Sequence, residues 1–106
     1  MKQGFEQEHF TDENGMPSGG HSWGTGFAIA WQHGPLGRGD SRKAPNGAFV
    51  EDVIDAALHR IRQYQDTDFA CEENEEAIGH LVAALGSLDR RTKDREARAV
   101  EGTHAV

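Results

Sequence analysis

Two apolar stripes at helical spacing, separated by a short polar break, constrain this chain more than any other feature of its sequence. The first stripe comprises Val50, Val53, Ile54, Ala57, Leu58 and Ile61. The second comprises Ala77, Ile78, Leu81, Val82, Leu85 and Leu88. Spacing of i, i+3, i+4 and i+7 places each set on one face of a helix. Because the break at 66–68 is short, we expect the helices to pack antiparallel as a hairpin over residues 46–100.

Local signals suggest where these helices begin. Asn46 is a reasonable N-cap for the first helix, and the second is expected to start near residues 68–70. Gly79 and Gly86 lie close to the apolar stripe of the second helix, so they predict a close approach between the two helices.

The segment before the helices predicts a small β part at residues 26–45. Phe27, Ile29 and Trp31 alternate with Ala28 and Ala30, the period-2 pattern of a half-buried strand. Residues 1–25 are rich in glycine and poor in aliphatic side chains, and they are expected to form a flexible arm, with a strand that forms only against a partner subunit. Residues 26–106 are then one domain that ends in a tail at 101–106. The predicted fold class is α+β, with a small antiparallel β part followed by an antiparallel helical hairpin.

Composition limits the classes of function. The chain has 106 residues and a net charge of −7, which argues against a general nucleic-acid binder. Its mean hydropathy of −0.72 is low for a compact monomer, so a homo-oligomer is expected. The single cysteine permits no internal disulfide and fits a reducing cytoplasm. No apolar run is long enough for a membrane span.

Motifs for chemistry are absent or incomplete. The loop G-P-L-G-R-G-D-S imitates a phosphate-binding loop, but Asp40 occupies the position that requires lysine. The histidines His59 and His80 have no nucleophile or metal-ligand partner at useful spacing. Cys71 lies in an apolar and acidic turn that disfavours a thiolate. The sequence therefore predicts no catalytic residue, no metal and no cofactor.

A cationic cluster near the end of the second helix stands out in this acidic chain. Its members are Arg90, Arg91, Lys93, Arg95 and Arg98. The i, i+4 spacing of Arg91 and Arg95 puts both guanidinium groups on one helix face, where Arg98 joins them. Such a stripe is suited to phosphate contacts, above all where several subunits converge. The alternative is a solvated helix end in which neighbouring acids neutralise the cations.

Tyr64 and Asn74 lie on either side of the break between the helices, so a hairpin brings them to the same end. An aromatic ring can stack on a purine, and a carboxamide can read a base edge or a ribose hydroxyl. The alternative for Tyr64 is an ordinary cap on the apolar stripe. Phe69, between them, is expected to pack into the turn.

An ordered series of short motifs resembles the phage anti-Thoeris sponges, whose helical hairpin is shared with the phage anti-CBASS sponges. The motifs are W-Q-H-G-P at 31–35, N-G at 46–47, R-Q-Y-Q at 62–65, F-A-C-E-E-N at 69–74 and R-T-K-D-R-E-A-R-A-V-E-G-T at 91–103. The resemblance covers residues 26–104. It implies a non-catalytic protein that sequesters cyclic nucleotide immune signals in the cytoplasm of an infected bacterium, and whose dimers assemble into a hexamer.

The resemblance also implies two ligand sites. Tyr64 matches the position that stacks on the base of glyco-cyclic ADP-ribose or a cyclic dinucleotide, and Asn74 matches the amide beside it. Arg91 and Arg95 match arginines of a separate pocket for cyclic trinucleotides near a three-fold axis. Further ligand contacts are expected at Gln32, Arg42, Arg98 and Thr103. No nucleic-acid polymer and no membrane is expected as a partner.

Some residues depart from the family pattern. Glu72 stands where a basic residue is expected, Ser87 where an aromatic is usual, and Ala99 in place of glycine. The loop 34–46 is longer than typical and basic, and it is expected to reach ligand phosphates across a subunit interface. The sequence is also compatible with two other functions: an oligomeric structural or adaptor protein of a phage, and a cyclic nucleotide hydrolase.

Overall fold

A computed structural model describes all residues from Met1 to Val106. The chain forms two compact units. The β unit comprises residues 1–49 and 100–106, and the hairpin unit comprises residues 50–99. A three-stranded antiparallel sheet followed by two helices confirms the predicted α+β class. Neither helix combines the length and apolar character that a membrane span requires.

The β unit is built on a meander of three strands in the order β1-β2-β3. These are β1 (Glu6–Thr11), β2 (Pro17–Gly24) and β3 (Phe27–Trp31). Ser22 pairs with Ile29 and Gly24 with Phe27, so a tight turn at residues 25–26 joins β2 to β3. The period-2 prediction for β3 is confirmed. Trp31 donates its indole N–H to the buried hydroxyl of Ser22 at 3.0 Å, which satisfies both polar groups on this face of the sheet.

The residues expected to form a flexible arm instead contain β1 and β2, which pair with each other within one chain. Their sequences, EQEHFT and PSGGHSWG, lack apolar alternation, so side-chain pattern did not reveal them. Backbone pairing depends here on Gly20, whose φ is +146°, and a Cβ at this position would overlap the carbonyl oxygen of Glu8 on β1. Glycine therefore permits the close approach that holds the first two strands together.

The hairpin unit consists of α1 (Val50–Gln65) and α2 (Glu72–Ala97). The two helices pack against each other, and Leu58 of α1, at 3% exposure, is the one buried apolar side chain. α1 begins four residues later than predicted, because the Asn46 side chain bonds to His33 and does not cap the helix. α2 begins at Glu72 with Cys71 as its N-cap residue.

The glycines of α2 do not mediate close helix packing. A Cβ at Gly79 would meet nothing within 4 Å, and one at Gly86 would meet only the end of the Arg90 side chain. Val82, which belongs to the predicted apolar stripe, is 46% exposed. The expectation of close helix approach at these glycines is therefore wrong for the packing of α1 on α2.

Candidate functional site

The turn between α1 and α2 is shaped by side-chain bonds to its own backbone. Thr67 donates its hydroxyl to the carbonyl oxygen of Tyr64 at 2.5 Å and accepts the N–H of Phe69 at 3.2 Å. This arrangement leaves the Phe69 side chain 79% exposed. The prediction that Phe69 packs into the turn is wrong, because the turn is closed by hydroxyl and backbone groups and offers no apolar space.

Gln65, the last residue of α1, joins the two ends of this turn. Its carboxamide oxygen accepts the backbone N–H of Cys71 at 3.0 Å, and its amide nitrogen donates to the Cys71 carbonyl oxygen at 3.0 Å. The same nitrogen donates to a carboxylate oxygen of Glu75 at 2.8 Å. One side chain thus pairs with both backbone groups of the residue that precedes α2, as a neighbouring strand would.

Asn74, in the first turn of α2, is held by the same network. Its amide nitrogen donates to the Gln65 carboxamide oxygen at 2.9 Å and to the Phe69 carbonyl oxygen at 3.3 Å. Tyr64 immediately precedes Gln65 in the chain. The structure therefore brings Tyr64 and Asn74 to the same end of the hairpin, connected through a single glutamine.

The Tyr64 side chain is 38% exposed at the end of α1. Its hydroxyl accepts a hydrogen bond from Arg60 Nε at 3.2 Å, and the Arg60 guanidinium carbon lies 5.1 Å from the centroid of the ring, above its plane. A cation over a ring stabilises the pair by roughly 0.5–1 kcal/mol at exposed sites. Arg60 therefore holds the ring in place and covers one of its faces.

The cationic cluster lies at the opposite end of α2. A rise of about 1.5 Å per residue puts Arg91 roughly 25 Å along the helix from Asn74. Arg98 pairs with Asp94 at 3.0 Å, and Lys93 pairs with Asp89 at 2.9 Å. The hydrogen bond from Lys93 to Asp89, together with the charge of that carboxylate, raises the pKa of Lys93.

Arg91 differs from these paired cations. Its side chain is exposed and makes no hydrogen bond or ion pair within the chain. Neutralisation by neighbouring acids therefore accounts for Arg98 and Lys93 but not for Arg91. An uncompensated guanidinium on an exposed helix face is available to an anion from outside the chain.

A groove of about 460 Å³ lies along the hairpin unit between the two helices. It is lined by Glu51, Asp52, Asp55, Leu85, Asp89 and Thr92. Four carboxylates repel a phosphorylated ligand, so this groove is not the anion site of the hairpin.

In the β unit, the loop 34–46 is fastened to the C-terminal segment. Arg42 and Glu101 form a two-pronged ion pair, with N–O distances of 2.5 and 3.1 Å. Arg38 donates to the Glu101 carbonyl oxygen at 3.1 Å, and the Gly37 N–H donates to the Gly102 carbonyl oxygen at 2.7 Å. Arg42, expected as a ligand contact, is thus engaged by a carboxylate 59 positions further along the chain.

Gln32 and Thr103, the other predicted contacts of the β unit, also bond within the chain. Gln32 accepts the backbone N–H of Asn46 at 2.9 Å and donates to the Gly34 carbonyl oxygen at 3.2 Å. Thr103 donates its hydroxyl to the Val100 carbonyl oxygen at 2.6 Å. These bonds show both side chains holding local turns, and their roles toward a ligand stay predictions.

A curated phage protein is similar to this chain. Thoeris anti-defense 1 of Bacillus phage SBSphiJ7 is 40% identical over 76 residues, which is 72% of the present chain. The chain is a relative of the phage anti-Thoeris proteins. This relationship confirms the family resemblance seen in the short motifs. The chain spans about half the length of the curated relative, 51% of it, and no protein-family model matches.

The sequence patterns of this anti-Thoeris protein did not point to three residues that shape the candidate sites. Arg60 was identifiable from its i, i+4 spacing to Tyr64, which places a cation beside a ring on one helix face. Gln65 gave no signal, because an amide that pairs with a turn backbone looks like any polar residue at a helix end. No sequence pattern predicted the role of Glu101 either, since its partner Arg42 is remote in the sequence.

Proposed function

We propose that this chain is a phage anti-Thoeris protein that binds cyclic nucleotide immune signals and holds them without cleaving them. Such a protein lowers the concentration of free signal below the level that activates the defence effector. The observation that carries the proposal is the end of the hairpin, where the exposed ring of Tyr64 lies next in the chain to Gln65 and the Asn74 carboxamide is hydrogen-bonded to Gln65. The relationship to Thoeris anti-defense 1 supports the anti-Thoeris part of this proposal.

The first site is proposed for glyco-cyclic ADP-ribose or a cyclic dinucleotide. With Arg60 over one face of the Tyr64 ring, a purine stacks on the other face. Stacking of a base on an aromatic side chain contributes about 1–3 kcal/mol. Sequestration at a dissociation constant of about 10 nM needs roughly −11 kcal/mol. The remainder comes from the Asn74 contact and from phosphate and ribose contacts in a pocket closed between subunits.

The second site is proposed for cyclic trinucleotides at Arg91 and Arg95. Arg91 projects from α2 without an intrachain partner, which supports a role in binding an external anion. One such helix supplies few cations, so several copies must converge to surround a ligand with three phosphates. Anion binding then relieves the repulsion that converging arginines would suffer when empty.

We further propose that the chain associates with copies of itself, with dimers assembled into a hexamer as the family resemblance implies. A single chain buries one apolar side chain, Leu58, while Phe10, Phe27, Phe69 and Val82 are each more than 40% exposed. With so little apolar surface buried inside one chain, association with other copies is a ready way to cover these side chains. Association also closes both proposed sites against solvent.

Retention and release of the ligand test the proposal. Purified protein is mixed with glyco-cyclic ADP-ribose, cyclic GMP-AMP or cyclic triadenylate, filtered, and then heat-denatured. A sequestering protein depletes the filtrate and returns the intact compound on heating. A hydrolase returns a linear product. A structural adaptor leaves the filtrate unchanged, and either of these last two results refutes the proposal.

Variants separate the two sites. Tyr64→Ala and Asn74→Ala are expected to abolish retention of the ADP-ribose or dinucleotide ligand and to spare the trinucleotide. Arg91→Glu is expected to do the reverse. Arg90→Glu is its matched control, because the same charge change falls on the adjacent residue, about 100° around the helix. Equal loss of both ligands in every variant contradicts two separate sites.

An adaptor is the second candidate, and the acidic groove of the hairpin unit favours it. Its carboxylates complement the cationic end of α2, so copies of the chain can associate through charge alone. Under this function, high salt dissociates the assembly and no cyclic nucleotide is retained at any salt concentration.

A further inference from the structure

The hydrogen bonds around Gln65 fix the chemical polarity of the proposed nucleotide site. The Cys71 N–H can only donate and the Cys71 carbonyl oxygen can only accept. Because Gln65 bonds to both, its carboxamide oxygen must face the N–H and its nitrogen must face the carbonyl. The orientation of this amide is therefore set by the backbone and has no equivalent flipped alternative.

The orientation of the Gln65 amide also determines the orientation of the Asn74 amide. The Gln65 oxygen is an acceptor, so the Asn74 group beside it at 2.9 Å must be the amide nitrogen. The second N–H of that nitrogen is directed at the Phe69 carbonyl oxygen, another group that can only accept. Both donors of the Asn74 amide are thus committed within the turn, and its carboxamide oxygen is left without an intrachain partner.

We propose that Gln65 is a positioning residue that fixes Asn74 as a hydrogen-bond acceptor, so that the site selects a purine carrying an exocyclic amino group. The inference rests on the proposed function, in which a base stacks on Tyr64 beside Asn74. An acceptor pairs with the amino N–H of adenine. When the purine carries no donor opposite Asn74, the carboxamide oxygen of Asn74 has no hydrogen-bond partner in the complex. A polar group that is buried without a partner weakens binding.

The test uses two ligands that differ at one position. The first is glyco-cyclic ADP-ribose, and the second is its purine analogue, in which hydrogen replaces the 6-amino group. Isothermal titration of the full chain gives the ratio of their dissociation constants. We expect the wild-type chain to bind the amino compound about ten- to a hundredfold more tightly.

Three variants identify the role of Gln65. Gln65→Leu removes the network and releases the Asn74 amide to rotate, so the ratio falls below about threefold. Gln65→Glu keeps an oxygen for the Cys71 N–H and for Asn74, so the ratio is retained even where stability falls. Gln63→Leu is the matched control, since Gln63 is an exposed glutamine on the same helix turn without these bonds, and it leaves the ratio unchanged.

The ratio separates positioning from a structural role, because a partly unfolded variant loses both ligands in the same proportion. A Gln65→Leu chain that binds both ligands more weakly at an unchanged ratio overturns the inference. A wild-type chain that binds both ligands equally also overturns it and leaves the proposed function standing. A folded wild-type chain that binds neither ligand overturns both.

Discussion

Replacement of Gly102 by alanine is the sharpest test of how the β unit holds its loop and C-terminal segment together. Gly102 has φ = +80°, and a Cβ at this position would overlap the carbonyl oxygen of Gly37 and lie 3.0 Å from Arg42 Nη1. The substituted side chain therefore pushes the C-terminal segment away from the loop 34–46, where Gly37 and Arg42 are fastened.

The cost of Gly102→Ala follows from three contributions. Alanine at positive φ costs about 1 kcal/mol relative to glycine. Loss of the 2.7 Å bond from the Gly37 N–H to Gly102 removes about 1 kcal/mol more. The Arg42–Glu101 pair, with side chains 43% and 23% exposed, adds less than about 1 kcal/mol because solvent screens it. We expect a loss of about 2–3 kcal/mol, which lowers the melting temperature by about 10–20 °C.

The assay is urea unfolding followed by two signals. Trp23 and Trp31 are the two tryptophans and both belong to the β unit, so fluorescence reports that unit. Far-UV circular dichroism at the helix minimum reports the hairpin unit. We expect the unfolding free energy of Gly102→Ala, taken from the fluorescence transition, to fall by about 2–3 kcal/mol, the sum of the three contributions.

Gly15→Ala is the matched control. Gly15 has a nearly identical φ of +77°, but a Cβ there meets nothing within 4 Å. This substitution isolates the backbone term and should cost about 1 kcal/mol. If Gly102→Ala and Gly15→Ala lower the midpoint equally, the contact between the loop and the C-terminal segment contributes nothing and the reasoning is refuted.

Three further predictions concern other parts of the chain. Gly79→Ala should raise the unfolding free energy by about 0.5–1 kcal/mol in a thermal melt, because Gly79 is helical and a Cβ there meets no neighbour. A decrease in unfolding free energy would show that another group packs against this face of the helix. Ala99→Gly should stabilise the end of α2 by about 0.5–1 kcal/mol in the same melt, since Ala99 has a positive φ of 59° that glycine adopts more easily. An unchanged unfolding free energy would show that the backbone of Ala99 is not strained. The backbone N–H of Met16 lowers the pKa of Asp12, so this carboxylate stabilises the turn above its unfolded pKa of about 3.9, and the stabilisation is lost as pH falls through the lowered value. An NMR titration of the Asp12 carboxyl that gives an ordinary pKa would contradict this.

Elements with side-chain periodicity were predictable from the sequence. The alternation of Phe27, Ile29 and Trp31 located β3, and the apolar stripes located both helices. In each case one face of the element is less exposed than the other, and burial is what side-chain patterns encode. The proximity of Tyr64 and Asn74 followed from the same hairpin, because a short turn leaves few arrangements.

Features built from backbone groups were not predictable. β1 and β2 pair through main-chain bonds and through the missing side chain of Gly20, neither of which produces a periodic pattern. Asn46 has the composition of a helix cap, yet its amide bonds to both backbone groups of His33. Local propensity cannot decide whether Asn46 caps a helix or bonds to a loop, since its partner His33 is 13 positions away in the chain.

The scarcity of apolar burial also decides how this chain responds to temperature. Leu58 is the one apolar side chain with an exposure below a tenth, so unfolding of one chain uncovers less hydrocarbon surface than unfolding of a well-packed domain of this length. The heat-capacity change on unfolding grows with that surface, and so does the steepness of the urea dependence. A lone chain should therefore have a shallow stability curve with a broad maximum. Its calorimetric profile sharpens only when contacts between copies add hydrocarbon area to the transition.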